Sequence, residues 1–427
     1  MITARAWAGK HYAVYGLARS GLATVRALLA SGARVTAWDE REEARAQADG
    51  VELLDFNTAE LSAFDSLIIS PGVPLNTHPL AARAREAGVE IIGDIELFAR
   101  ARPELPPHKV VGITGTNGKS TTTALVHHIL KTAGVPTTMG GNIGLPILAQ
   151  DPLPEGGVYV LELSSYQIDL TQSLDCDVAV LLNITPDHLD RYESFEAYAA
   201  SKRRLFEMQS SESIAVIPDH RWSVQDHMDT WSVWGADGEV RDPRPLGTQR
   251  DWPALQGRHN AQNAQAAIAV AQDLDLTEEV IAEALRTYPG LPHRMERVRE
   301  KDGVLFINDS KATNAEAAAP ALAAYPHVRW IVGGQAKTPD LGDTAKHLDH
   351  VMHAYTIGEA GPMFARLLRD EGVEVTESET LENAVNRAAA DSQAGDVVLL
   401  SPACASFDQF RDFEARGDAF KKAVGDL

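Results

Sequence analysis

Residues 112–121 read GITGTNGKST, set between the apolar pair Val110 and Val111 and the helix-like stretch TALVHHILKTAG. A glycine-rich turn between a buried strand and a helix start presents backbone N–H groups to an anion, and the helix adds its positive end. A Walker A loop reads G-x-x-x-x-G-K-[ST]. Gly118, Lys119 and Ser120 match its end, while Ile113 stands where the first glycine belongs. Gly115 and Gly118 let the backbone turn inward, Lys119 brings a point charge to terminal phosphates, and Ser120 offers an oxygen to Mg²⁺. An ordinary strand–turn–helix connection is the competing reading; the packing of Thr, Gly, Asn, Gly, Lys, Ser and Thr behind a buried strand favours phosphate. Such a loop belongs in an α/β sheet.

The rest of the chain agrees. KHYAVYGLARSGLATVRALLASGARVTAWD reads as a βαβ unit ending at Asp39, and DSLIISPGV and GVEIIGDIEL read as further buried strands of a parallel sheet. RPELPPHK, with three prolines, reads as a linker. A second βα series runs through KVVGITGTNGKS, GVYVLELSSYQ and DVAVLLNITPDHLD. Residues 235–257 read as loops and short strands, and GRHNAQNAQAAIAVAQDL as a helix capped by Asn260. After a second linker, YPGLPHR, the strands GVLFIND, VRWIVGG, HAYTIG and DVVLLSPA alternate with helical stretches. At 427 residues the chain exceeds one ordinary core, so several domains are expected.

Composition excludes some functions. With 39 basic and 60 acidic residues the net charge is 39 − 60 = −21, which argues against a nucleic-acid surface. Cys176 and Cys404 are the only cysteines and lack metal spacing, so a reducing compartment fits. No apolar run approaches the ~18 residues of a membrane span. No signal peptide is evident, because Arg19 and Arg26 interrupt the first apolar stretch. A cytoplasmic protein with no membrane insertion is expected.

Ligands in open α/β sheets sit at the carboxyl ends of strands. Glu162 follows GVYVL, where a bare buried carboxylate needs a partner. His188 follows VAVLLNITPD; a metal would satisfy both, although Mg²⁺ prefers oxygen. In FEAYAASKRRLFEMQ, Lys202 shares a helix face with Phe195, Tyr198 and Phe206. It therefore points inward, and desolvation lowers its pKa. Snorkelling is the plainer alternative. GLARSG, with Asp39 some way on, loosely matches a dinucleotide fingerprint whose middle glycine is replaced by Ala18. An NAD-linked oxidoreductase is the reading this leaves open.

Taken in order, ITGTNGKST, GGNIG, LELSSYQ, NITPDHLDRY, HNAQNAQAA, HRME, NDSKATN and LLSPACASFDQFRDFEARG resemble the Mur peptidoglycan ligases over nearly the whole chain. The resemblance implies an α/β chain of three domains: an N-terminal Rossmann-like domain (1–104) for a UDP substrate, a central P-loop ATPase-type sheet (105–291) for ATP, and a C-terminal Rossmann-like domain (292–427) for an amino acid. SSYQ and the C-terminal string are most similar to members that add D-glutamate to UDP-N-acetylmuramoyl-L-alanine through an acyl phosphate. The same resemblance implies ATP contacts at Gly115, Thr116, Asn117, Gly118, Lys119, Ser120, Thr121, Asn263, Arg294 and Asp309. It implies UDP-substrate contacts at Arg19, Ser20, Asp39, Arg41, Ser70, Asn142 and Ser164, and D-glutamate contacts at Thr313, Lys337, Ser406 and Phe413. Two Mg²⁺ ions would be held by Ser120, Glu162, His188 and a carbamylated Lys202. Lys119, Lys202, His188 and Lys311 would serve the chemistry. A monomer is expected. A sister ligase adding another amino acid, or a non-catalytic nucleotide binder, are the alternatives.

Overall fold

In the computed structural model, residues 1–188, 191–218, 231–234, 240–241 and 246–427 are described. The chain contains three sheets. The first has order β3-β2-β1-β4-β5 and is parallel. Its strands are β1 (His11–Tyr15), β2 (Arg34–Trp38), β3 (Glu52–Leu53), β4 (Ser66–Ile69) and β5 (Glu90–Ile92). The period-2 alternation of a strand explains how β1 serves two cores. Tyr12 and Val14 face one apolar cluster, and Ala13 and Tyr15 the other. GVEIIGDIEL is not one strand. It splits into β5, Gly93 as the N-cap, and the helix Asp94–Ala101, whose first turn carries Asp94 and Glu96. Both elements carry apolar residues and are at least partly buried, so hydropathy alone does not separate them.

The second sheet comprises β6 (His108–Thr114), β7 (Thr137–Gly141), β8 (Gly157–Glu162), β9 (Val178–Leu181), β10 (Ile214–Pro218), β11 (Trp231–Trp234) and β12 (Val240–Arg241). Its order is β12-β11-β10-β9-β6-β8-β7. Strands β6 to β10 pair in parallel, and β10–β11–β12 are antiparallel. Most of 235–245 lies outside the described residues, and the expectation of loops and short strands there falls largely on them. The glycine loop joins β6, central in this sheet, to the helix Lys119–Thr132.

The third sheet comprises β13 (Glu296–Lys301), β14 (Val304–Asn308), β15 (Val328–Gly333), β16 (Val351–Ile357), β17 (Val375–Glu379) and β18 (Val397–Leu400). Its order is β13-β14-β18-β15-β16-β17, parallel except for the β13–β14 hairpin. Alternation again builds two cores. Trp330, Val332, Val397 and Leu399 pack on one face, and Ile331, Val398 and Leu400 on the other.

The chain divides into two compact units: Met1–Leu246 with Asn263–Ala284, and Gly247–Gln262 with Leu285–Leu427. The first holds two sheets and the second holds the third. The helix Arg258–Asp273 begins two residues before Asn260, so Asn260 lies in its first turn and is not its cap. Its amide instead donates to Gln256 O at 3.0 Å. No helix among the described residues is long and apolar enough to cross a membrane.

Candidate active site

Strand β6 ends at Thr114, and the chain turns through Gly115 (φ +153°) and Gly118 (φ +85°) into the helix Lys119–Thr132. Gly118 is left-handed, a conformation in which a side chain is strained. A Cβ there would also run into Asn263 Oδ1. Asn263 thereby sits against the loop. Lys119 Nζ donates to Gly115 O (2.9 Å) and Thr116 O (2.7 Å). Ser120 and Thr121 are buried in the first helical turn.

Two polar clamps that were not singled out in the sequence shape this loop. Asn183 lies just past the end of β9. Its Oδ1 accepts from Asn117 N at 2.9 Å, and its Nδ2 donates to Asn117 O at 3.0 Å. Its own carbonyl accepts from Thr116 N. Tyr198 OH meets Thr116 Oγ1 at 3.1 Å. The available signals were an asparagine at a strand's carboxyl end and a tyrosine one turn before the inward lysine.

Lys202 is 1% exposed. Ser194 caps its helix, Phe195–Glu207, by accepting from Ala197 N at 3.2 Å. Tyr198, Lys202 and Leu205 then share the buried face, as their spacing requires. Lys202 Nζ donates to Gly115 O at 2.8 Å, the carbonyl that also accepts from Lys119, and lies 4.7 Å from the Tyr198 ring centre. Burial, then the Lys119 charge, lowers its pKa to about 7; Asp187 and Asp169 pull the other way.

Glu162 ends β8 and stands opposite Ile113 in the parallel ladder. It is 2% exposed. Its Oε1 accepts from Asn142 Nδ2 at 2.9 Å, while Oε2 is buried with no partner among the described residues. A buried carboxylate oxygen without a donor is costly, and a hard cation such as Mg²⁺ fits it by chemistry. His188 is more exposed and takes φ +53°. Its ring lies 5.0 Å from Tyr166 and 6.0 Å from Tyr198. Among the described residues no three His, Cys, Asp or Glu side chains are grouped to hold a metal.

In the first sheet, Asp39 organises its own loop. It accepts from Leu17 N (2.7 Å), Arg41 N (2.9 Å) and Arg41 Nε (3.2 Å). Burial opposes ionisation, but these donors hold its pKa below the usual range. Ser70 Oγ donates to Gly16 O at 2.8 Å. Arg19 opens the helix Arg19–Ala30 and donates to Gly144 O at 2.8 Å, with Ser20 beside it. Ser164 is the N-cap of Ser165–Asp169 and forms a capping box with Gln167. Arg191 lies 4.2 Å from the Tyr166 ring and donates to Val73 O at 2.9 Å.

In the second unit, Asp309 is 4% exposed. It accepts from Ser401 Oγ (2.7 Å) and Met295 N (3.1 Å). Burial raises its pKa to about 6 despite those donors and Arg294. Lys311 Nζ lies 5.4 Å from the Phe413 ring. Ser406 is buried and Lys337 is exposed. Thr313 does not cap the helix Ala315–Ala323, because Asn314 does, accepting from Ala317 N at 2.8 Å. Arg416, unmarked in the sequence reading, is 1% exposed. It donates to Ser310 Oγ (2.9 Å), Ser310 O (2.8 Å) and Cys404 O (3.0 Å), tying the Ser310 and Cys404 turns together.

Comparison with known proteins bears on this geometry. The Mur ligase MurD-like N-terminal domain matches residues 10–93, the Mur ligase middle domain 113–235, and the Mur ligase glutamate ligase domain 293–404. UDP-N-acetylmuramoylalanine–D-glutamate ligase of Novosphingobium aromaticivorans is 59% identical over 99% of this chain and 96% of its own length. The same-named ligase of Zymomonas mobilis is 56% identical over 99% of both. This chain belongs to the Mur ligase family. The fold agrees: UDP-N-acetylmuramate-alanine ligase of Thermotoga maritima superposes with a TM-score of 0.55 at 18% identity, covering 98% of this Mur ligase and 99% of that chain. A MurF ligase of Thermotoga maritima in complex with ADP superposes at 0.54 and 17% identity, covering 99% and 97%. As a Mur ligase the chain is an ATP-dependent, amide-bond-forming enzyme of three α/β sheets.

Proposed function

We propose that this Mur ligase joins D-glutamate to UDP-N-acetylmuramoyl-L-alanine, with ATP converted to ADP and phosphate. The near-full-length identity to two ligases named for that reaction carries the reading. A carboxylate is a poor acyl donor because its oxide leaves badly. The terminal carboxylate of the muramoyl substrate attacks the γ-phosphorus, and ADP leaves. The D-glutamate nitrogen then attacks the acyl-phosphate carbon and loses a proton, and the tetrahedral intermediate expels phosphate.

The loop Gly115–Thr121, with Asn263, Arg294 and Asp309, grips ATP, and Lys119 sets a positive charge beside the phosphates. Lys311 adds charge for the transferring group. Glu162, Ser120, His188 and carbamylated Lys202 would hold two Mg²⁺ ions, which supply charge neutralisation along the phosphates. The unpartnered Glu162 oxygen supports that assignment. A lysine whose pKa is lowered to about 7 is substantially neutral near physiological pH, and a neutral amine adds CO₂. Arg19, Ser20, Asp39, Arg41, Ser70, Asn142 and Ser164 serve the muramoyl nucleotide, and Thr313, Lys337, Ser406 and Phe413 serve D-glutamate, with domain boundaries near residues 104 and 291. The protein acts as a cytoplasmic monomer.

The decisive measurement is phosphate release over a panel of D- and L-amino acids with UDP-N-acetylmuramoyl-L-alanine and Mg²⁺. ADP should form with D-glutamate and fall to background without either carbon substrate. Turnover with a different amino acid would reassign the specificity, and no ADP under any combination would end the reading.

A further inference from the structure

The second unit contains a cavity of about 590 Å³ at the carboxyl ends of β16 and β17. That end of a parallel sheet is where ligands sit, and the helix Gly361–Asp370 starts at its rim. The position favours an anion, but the chemistry opposes one. Glu359, Glu377, Glu379 and Asp408 line the cavity, and no Lys, Arg or His does. Arg369 compensates Glu377 at 3.0 Å, so 4 − 1 = 3 carboxylates are without an ion pair among the described residues.

The hydrogen-bond inventory points the same way. Donors that an anion would need are already engaged. Gly358 N and Gln409 Nε2 both donate to Glu379 O, Glu359 N donates to Asp408 Oδ2, and Gly361 N donates to Gly358 O. Asp408 Oδ1 is a buried acceptor with no partner among the described residues, and the Thr356 hydroxyl, which can accept as well as donate, is equally unpartnered. Thr356 is 1% exposed, at the end of β16 and in the cavity lining. A buried polar oxygen without a partner is a rare and costly feature. The two come from different segments and meet at one cavity.

A ligand for this place must therefore bring several N–H donors and positive charge. It must also be larger than an ion, since no metal-holding group is found among the described residues and the volume is that of a small-molecule site. We propose that this cavity binds a small organic polycation of the polyamine class. The assignment does not depend on the ligase reading, because it concerns residues given no part in that reaction.

Isothermal titration calorimetry of the full chain with spermidine tests it. One saturable site is expected. The double variant Glu359→Gln/Glu379→Gln should weaken binding at least tenfold, and Thr356→Val several-fold, with ATP turnover retained in each. Diffuse attraction to a chain of net charge −21 gives a different result, since removing 2 of 60 acidic side chains barely alters it. Equal binding to wild type and variants, or no saturable binding, would overturn the proposal. So would Mg²⁺ displacing spermidine at equal concentration, which would make this an inorganic-ion site. Should the double variant fail to fold, Thr356→Val decides alone, because it removes only the hydroxyl.

Discussion

A carboxyl group buried with little hydrogen bonding prefers its proton, and Asp94 is such a group. It is 5% exposed and its Oδ1 accepts from Ile95 N at 3.1 Å. Burial raises its pKa to about 6. The folded state therefore keeps a proton that the unfolded chain has already lost. Its contribution to stability falls as pH rises from about 4 to about 6, and the full penalty stands above that window. Asp94→Asn should gain on the wild type across the window, by at most ~1.4 kcal/mol per pH unit, and keep a constant advantage beyond it. Urea unfolding at a series of pH values reads this directly; a difference that stays flat from pH 4 to pH 8 would mean Asp94 does not titrate there. Lys202 offers a residue-scale test of another kind. Lys202→Ala should lose turnover, and added short carboxylic acids should restore part of it by standing in for a carbamate. A variant that binds ATP yet shows no rescue argues that the lysine acts as an amine.

At the scale of elements, the phosphate loop is held from outside by Asn183, whose amide makes two hydrogen bonds to Asn117. Each is worth about 1 kcal/mol. Asn183→Ala should thus raise the KM for ATP up to about thirtyfold while changing kcat less, because the loop loses preorganisation and not a reacting group. A fall in kcat with unchanged KM would place Asn183 in the chemistry instead. This clamp was not legible beforehand because it links residues 66 positions apart, which no local spacing records. The loop itself was legible, since a strand, two glycines and a helix are written contiguously. Lys202 was legible for a related reason: Phe195, Tyr198 and Phe206 recur with it at helical spacing, although Tyr198 and Leu205 are the neighbours buried with it. Edge strands were less visible. β13 (ERVREK) and β17 (VTESE) stand at the two edges of the third sheet and are half-exposed, so they lack the apolar run that marked their neighbours. One helix start misled in a different way, because Asn260 has a suitable capping side chain but lies inside the first turn of the observed helix.

For the whole molecule, three sheets fall into two compact units, and the two sheets of the first unit share one apolar cluster. Each substrate of the proposed reaction is assigned mainly to the carboxyl ends of one sheet's strands, so the assignments can be separated without turnover. Ligands that bind the native state stabilise the segments they order, by about 2.7 kcal/mol at a hundredfold excess over Kd. Amide hydrogen exchange resolves where that stabilisation lands. A non-hydrolysable ATP analogue with Mg²⁺ should slow exchange around 113–123 and 181–185, where the loop and its Asn183 clamp lie. The muramoyl nucleotide should slow 15–21, 38–42 and 69–72, where Asp39 and Ser70 fasten the loops of the first sheet. D-Glutamate should act around 401–413, between Ser401 and Phe413. Spermidine should act at 356–362, leave the ATP and nucleotide regions unchanged, and overlap the D-glutamate segment only at 408–409. Protection of one common segment by all four ligands would contradict the division of labour among the sheets, even if ADP were produced.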